Sequence, residues 1–118
     1  MYCDIEVRSF QFSKNVVLFV NRICLNGVNR SLLEQLMRSA TSVGANIIEG
    51  RSGNSRRNLI SFYSIALRSA NEAHYWLRLI NEALNINHQE IELLLKESKE
   101  LAKILGKSIV TLKQNSQS

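Results

Sequence analysis

The chain contains no proline and only two cysteines in 118 residues. A proline inside a helix costs about 3 kcal/mol, so its complete absence favours long, uninterrupted helices. Cys3 and Cys24 form no C-x-x-C and no other ligand spacing. Cys24 stands in an apolar run and reads as a small core hydrophobe, and nothing demands an oxidising compartment. No stretch approaches the roughly 20 apolar residues that cross a bilayer. The N-terminus, with Asp4 and Glu6, does not resemble a signal peptide. The expectation is a cytoplasmic protein with no membrane partner.

Chemical signatures are missing as well. There is no G-x-x-x-x-G-K and no H-E-x-x-H. Gly50-Arg51-Ser52-Gly53 lacks the strand–turn–helix context of a nucleophile elbow, and Ser52 has no evident base. His74 and His88 cannot by themselves build a metal site. No metal, cofactor or catalytic set is expected, and the chain reads as a non-enzyme. One short pattern points the other way. Arg68 and His74, separated by five residues, resemble the R-x(4–6)-H signature of HEPN ribonucleases. On an unbroken helix, however, the two side chains point about 120° apart.

What is present is helical periodicity. Apolar residues make up 45% of the chain, and folding at this length buries roughly two-thirds of the unfolded surface, enough for a core without staples. The pattern predicts four helices. The first spans roughly Ser13 to Leu25, with Val16, Phe19, Val20, Ile23 and Cys24 on one side and Asn26-Gly27 as its stop. The second opens with Ser31 as N-cap and Glu34 three residues on, a capping box, and ends at Gly50. Small Ala40 and Gly44 on its apolar side allow close approach of a neighbour. The third runs from Asn54 or Ser55 to Leu84. The fourth starts at Asn87 with Glu90 behind it and carries a stripe from Ile91 to Leu112.

The connections are only a few residues each, which forces consecutive helices to be antiparallel. The fold class is therefore all-α, an antiparallel up-and-down four-helix bundle. It forms one domain over residues 1–118, with 1–10 as an N-terminal arm and 114–118 as a disordered tail. Ile60, Tyr63, Leu67 and Ala70 widen the apolar arc of the third helix beyond the roughly 100° a surface helix needs. Self-association would cover that surplus; so would packing of all three other helices on the third. Periodicity does not choose between them.

The formal net charge is +5, unevenly spread. Between residues 38 and 68, Arg38, Arg51, Arg56, Arg57 and Arg68 face a single carboxylate, Glu49. Arg51 lies near the C-terminus of the second helix, where a cation is welcome. Arg56 and Arg57 occupy the first turn of the third helix, where the dipole prefers acids. Free backbone N–H groups plus guanidinium forks make a phosphate site, and Arg57, Ser61, Ser64 and Arg68 share one polar stripe. The alternative is a solvated face with these arginines paired to Glu49, Glu72 or Glu82, or to a neighbouring subunit, and on charge alone that is the commoner outcome. Arg38 follows Glu34 by four residues, an ordinary helix-surface pair. Lys96, Lys99, Lys103 and Lys107 line one edge of the fourth helix and read as solubilising.

Glu34-Gln35-Leu36-Met37-Arg38-Ser39-Ala40, followed by Ser42-Val43-Gly44-Ala45-Asn46-Ile47-Ile48-Glu49-Gly50, resembles the four-helix bundle protein family. Its members are encoded in intervening sequences of bacterial large-subunit (23S) ribosomal RNA genes and elsewhere in bacterial genomes. Phe62, Ala66, Ser69 and Glu72 match a further series of that family. The likeness covers about residues 12–113, and Asn46 to Gly50 is its most specific part. Ile48 stands where the family usually has alanine. The resemblance implies an antiparallel bundle that assembles as a homopentamer, with no established catalytic residues and a largely unknown function. Trp76-Leu77-Arg78-Leu79 is similar to a related group, the accessory proteins of diversity-generating retroelements, which implies a partner such as a reverse transcriptase and its RNA.

The functional expectation is a non-enzymatic, oligomeric module that binds RNA or a nucleoprotein, such as ribosomal RNA or a reverse transcriptase complex. Arg51, Arg56, Arg57 and Arg68, with Arg38 as a weaker member, would meet phosphate. The alternatives are a protein scaffold whose basic rim docks an acidic partner, or a ribonuclease using Arg68 and His74.

Overall fold

The structure is a computed structural model that describes residues 4–23, 27–53, 55–84, 86 and 89–115. Several expectations lie outside the described residues: Cys24 in the core, the end of the first helix at Leu25, the start of the fourth at Asn87, His88 near it, and the tail residues 116–118. The described residues form four helices: α1 (Ile5–Asn21), α2 (Gly27–Ser52), α3 (Arg56–Ala83) and α4 (Gln89–Asn115). No strand forms among the described residues.

Side-chain contacts fix the directions. Ser13 of α1 donates to the Ala40 carbonyl of α2, and Ser9, four residues earlier, lies against Gly44, four residues later. The two helices are therefore antiparallel. Ser69 of α3 reaches Ser42 of α2, while Phe62 lies against Gly50. Arg8 of α1 pairs with Glu97 of α4, and Arg22 with Glu90. The helices form a ring in which α1 neighbours α2 and α4, and α3 neighbours α2 and α4, with no close backbone approach across either diagonal among the described residues. The four-helix architecture matches the expectation. α1 lies diagonal to α3 rather than along it, so α2 and α4 are the helices that flank its wide apolar arc. Tyr63 and Ala70 are buried and Ile60 and Leu67 half-buried against the core, so little of that arc is left over.

The boundaries depart from the sequence reading at both ends of the chain. α1 begins at Ile5, not Ser13, so the expected arm is mostly helix. Asp4 is its N-cap, accepting from the Glu6 N–H at 2.9 Å. Ile5, Ser9, Phe12, Val16 and Phe19 form its buried stripe. A serine on that stripe hides the period from a hydropathy reading. Ser9 is nonetheless fully buried, its hydroxyl donating to the Glu6 carbonyl. α2 begins at Gly27, so Ser31 and Glu34 sit inside the helix and form no cap; nothing between Gly27 and Arg30 breaks a helix. Gln114 and Asn115 belong to α4 rather than to a tail.

The core runs the length of the ring. Phe12, Phe19, Leu33, Leu36, Ile47, Leu77, Ile80, Ile91, Leu101 and Leu105 are its largest fully buried side chains. Burial of each such side chain contributes about 1.5–3 kcal/mol. Polar atoms inside it are matched. Asn46 donates to the carbonyl and the hydroxyl of Ser42, and that hydroxyl also accepts from Ser69. No buried side-chain nitrogen or oxygen among the described residues lacks a partner. At Gly50 a Cβ would stand 2.9 Å from the Cβ of Phe62. Only glycine lets the end of α2 approach α3 this closely, and that approach sets where the α2–α3 junction and its arginines lie.

Candidate nucleic-acid interface

The bundle end that carries the start of α1 also carries the end of α2 and the start of α3. Here the expected arginine cluster divides. Arg51 turns inward: its Nη1 meets Asp4 Oδ1 at 2.7 Å and Glu6 Oε1 at 3.3 Å, and its Nε donates to the hydroxyl of Tyr63 at 3.0 Å. Asp4 is held below the usual carboxylate range, first by the Glu6 backbone N–H and then by Arg51. Partial burial pulls the Arg51 guanidinium down, but its bonds to Asp4 and Tyr63 outweigh that and hold it above its usual value. Arg51 is thus a clasp between α1, α2 and α3, not an open phosphate contact. Its partners were not foreseen, because a first helix starting at Ser13 leaves Asp4 and Glu6 far from the junction.

Arg56 and Arg57 are exposed in the first turn of α3, which contains no acid. Ser55 is the N-cap, its hydroxyl accepting from the Asn58 N–H at 3.0 Å. Among the described residues neither arginine has an ion pair or a side-chain hydrogen bond. Arg68, three turns on, is also exposed and unpaired among the described residues. The carboxylates suggested as neutralising partners are engaged elsewhere or unengaged. Glu72 accepts from the Trp76 indole N–H at 3.1 Å, Glu82 faces Arg78 at 3.8 Å, and Glu49 makes no ion pair among the described residues. Arg38 is exposed on α2, thirteen residues before Arg51 and so about 20 Å down the helix. No Glu34–Arg38 pair forms. The structure therefore brings Arg56 and Arg57 together, continues to Arg68 along α3, and leaves Arg51 and Arg38 out.

His74 is half-buried at the α3–α4 seam, its Nδ1 2.9 Å from Ser98 Oγ. Arg68 is exposed six residues earlier, about 9 Å along the axis and about 120° around it. The geometry does not assemble these two into one site. Among the described residues no group of three or more His, Cys, Asp or Glu side chains is placed to hold a metal ion. Among the described residues no helix is long and apolar enough to cross a membrane.

Exposed apolar side chains concentrate on α1, which sequence patterning did not single out. Val7 and Phe10 are 66% and 64% exposed, and Val17 and Leu18 also face outward. Ile48 of α2 and Leu93 of α4 are exposed too.

Comparison with solved structures finds a crystal structure of a protein of unknown function from the S23 ribosomal protein family of Bacteroides thetaiotaomicron. It is 29% identical, superposes with a TM-score of 0.77, and covers 90% of this chain and 98% of that one. No curated protein matches. A profile of the 23S rRNA-intervening sequence proteins matches residues 3–107, nearly the whole bundle. The signature that carried the resemblance has a structural basis here, since Asn46 ties the α2–α3 seam through Ser42 and Gly50 permits their closest approach. The chain belongs to the 23S rRNA-intervening sequence protein family.

Proposed function

We propose that this protein is a non-enzymatic RNA-binding module that works as an oligomer, contacting phosphate through Arg56, Arg57 and Arg68. The observation that carries the reading is a pair of uncompensated guanidinium groups at the start of α3. There the helix dipole is already positive, no acid lies in the first turn, and no carboxylate among the described residues pairs with them. Two cations at such a position cost some tenths of a kcal/mol each, and a polyanion is their natural counterpart. The Arg51 clasp supports the same reading by fixing the junction from which α3 begins.

Self-assembly belongs to the proposal. Val7, Phe10, Val17 and Leu18 give α1 an outward apolar face, and a homopentamer is what the family resemblance implies. Fivefold repetition would multiply a weak phosphate site into a useful one.

The test is binding to structured RNA across a salt series. Affinity should fall with salt in proportion to the phosphates contacted, and Arg56→Ala with Arg57→Ala should flatten the slope of log K against log salt by roughly 1.5–2. Salt-independent binding, or an unchanged slope in the double variant, refutes the phosphate role. Retention of an acidic protein partner after nuclease treatment would favour a scaffold instead.

A further inference from the structure

A surface groove lies between α3 and α4. It has an open volume of about 580 Å³, and His74, Arg78, Asn81, Glu82, Lys96 and Lys99 are among its lining residues. Beside it, a second depression is formed by Tyr75, Arg78, Leu79 and Glu82, so that Arg78 and Glu82 border both. Tyr75 is 57% exposed and meets the ring of Trp76 edge-on at 5.1 Å. An exposed aromatic face next to cationic side chains is the combination that holds unpaired bases on a charged track.

The groove's chemistry is mixed in a way that suits a base rather than a bare phosphate. Lys96 and Lys99 have no ion pair among the described residues, and Arg78 meets Glu82 only at 3.8 Å between two well-exposed side chains. Glu82 and Glu92 supply acceptors, Asn81 both a donor and an acceptor. The tautomer of His74 follows from its partner. Ser98 Oγ donates its single proton to the Leu95 carbonyl, so it accepts from His74 Nδ1–H. In the neutral ring Nε2 is then the acceptor. Donors and acceptors at close quarters match the Watson–Crick edge of an extruded base; an anion site would hold donors alone.

The groove also continues the arginine track. Counting antiparallel from the His74–Ser98 contact brings Lys103, which meets Glu100 of its own helix at 3.9 Å, to the axial level of Ser69. From Arg57 through Arg68 to Arg78 is 21 residues of one helix, about 31 Å, and Lys99 and Lys103 run beside its second half. The geometry points to single-stranded RNA as the ligand of this face: phosphates follow Arg57, Arg68, Lys103 and Lys99, and an unpaired base stacks on Tyr75 and inserts toward His74. This deepens the phosphate reading of the previous section and rests on it.

The test uses the full chain and two RNA probes in fluorescence anisotropy: a single strand of about 12 nucleotides, and the same strand annealed to its complement. The single strand should bind at least tenfold more tightly. Tyr75→Ala should weaken single-strand binding by about tenfold and leave duplex binding unchanged, while Tyr75→Phe retains wild-type affinity. Trp76 is the only tryptophan, so stacking on its neighbour should also change its emission on titration. If the single strand binds, and Arg56→Ala with Arg57→Ala weakens it but Tyr75→Ala does not, the groove assignment is overturned while the phosphate reading stands. Equal affinity for duplex also overturns it, and absence of binding to either probe overturns both.

Discussion

Alanine at two helical glycines with different surroundings in the fold gives a direct test of how this bundle is held together. Gly106 lies in the interior of α4, and a Cβ built there meets nothing within 4 Å. Gly106→Ala should therefore gain the helix-propensity difference, about 0.8–1 kcal/mol. Gly50 lies in the last turn of α2, where a Cβ would stand 2.9 Å from Phe62 Cβ and 3.3 Å from Leu59 Cδ1. The Phe62 atom is the root of its side chain and cannot swing aside, so α2 and α3 must separate. Overpacking of this kind costs roughly 1–3 kcal/mol, and a glycine near a helix end recovers only part of the propensity gain. The two variants should thus move in opposite directions and differ by roughly 2–3 kcal/mol. At about 4 °C per kcal/mol for a chain of this size, thermal melts followed by circular dichroism, at one fixed protein concentration, resolve the difference easily. If Gly50→Ala melts at or above Gly106→Ala, the close approach of α2 to α3 is not what this glycine is for, and the placement of the arginine junction loses its structural reason.

Other outcomes follow from the same packing. Leu77→Ala removes a fully buried side chain of α3 and should destabilise by about 2–5 kcal/mol in chemical denaturation. Phe10 is 64% exposed, so Phe10→Glu should leave the helical spectrum intact while light scattering reports a smaller assembly; an unchanged mass would remove α1 from any self-contact. The Glu6 backbone N–H and then Arg51 hold Asp4 below the ordinary aspartate range, so its contribution is present above that range and fades as pH falls through the lower folded pKa. Asp4→Asn should accordingly lower stability at neutral pH and flatten the acid limb below about pH 4, measured by melts across pH.

How much of this was legible in the sequence depended on which residue type occupied the buried stripe. α3 and α4 declare themselves because leucine, isoleucine and alanine hold most of the inward positions. α1 conceals its first two turns because Ser9 and Ser13 face α2, where small side chains permit close contact with Ala40 and Gly44. A polar letter at a core position reads as a break, although its hydroxyl is satisfied by a carbonyl of its own helix. Ser31 misled in the opposite sense, since a capping pattern has force only where the preceding backbone leaves the helix. At the candidate interface, sequence alone grouped Arg51 with Arg56 and Arg57. Their separation depends on Asp4, Glu6 and Tyr63 arriving from distant parts of the chain. Proximity of that kind is set by the ring order of the helices, which periodicity does not encode. The same holds for the α3–α4 groove. Its lysines look like a solubilising edge until His74, Arg78 and Tyr75 are set beside them.

The ring order carries a mechanical corollary. α1 is the shortest of the four helices, and its seam with α4 is the least extensive in the bundle. That seam is bordered by the ion pairs Arg8–Glu97 and Arg22–Glu90, whose attraction weakens in salt. When the bundle breathes, this seam is where it opens first, with α1 swinging on its glycine-and-serine contact with α2. Amide protons of α1 will exchange with solvent ahead of those in the other three helices, and more readily as ionic strength rises.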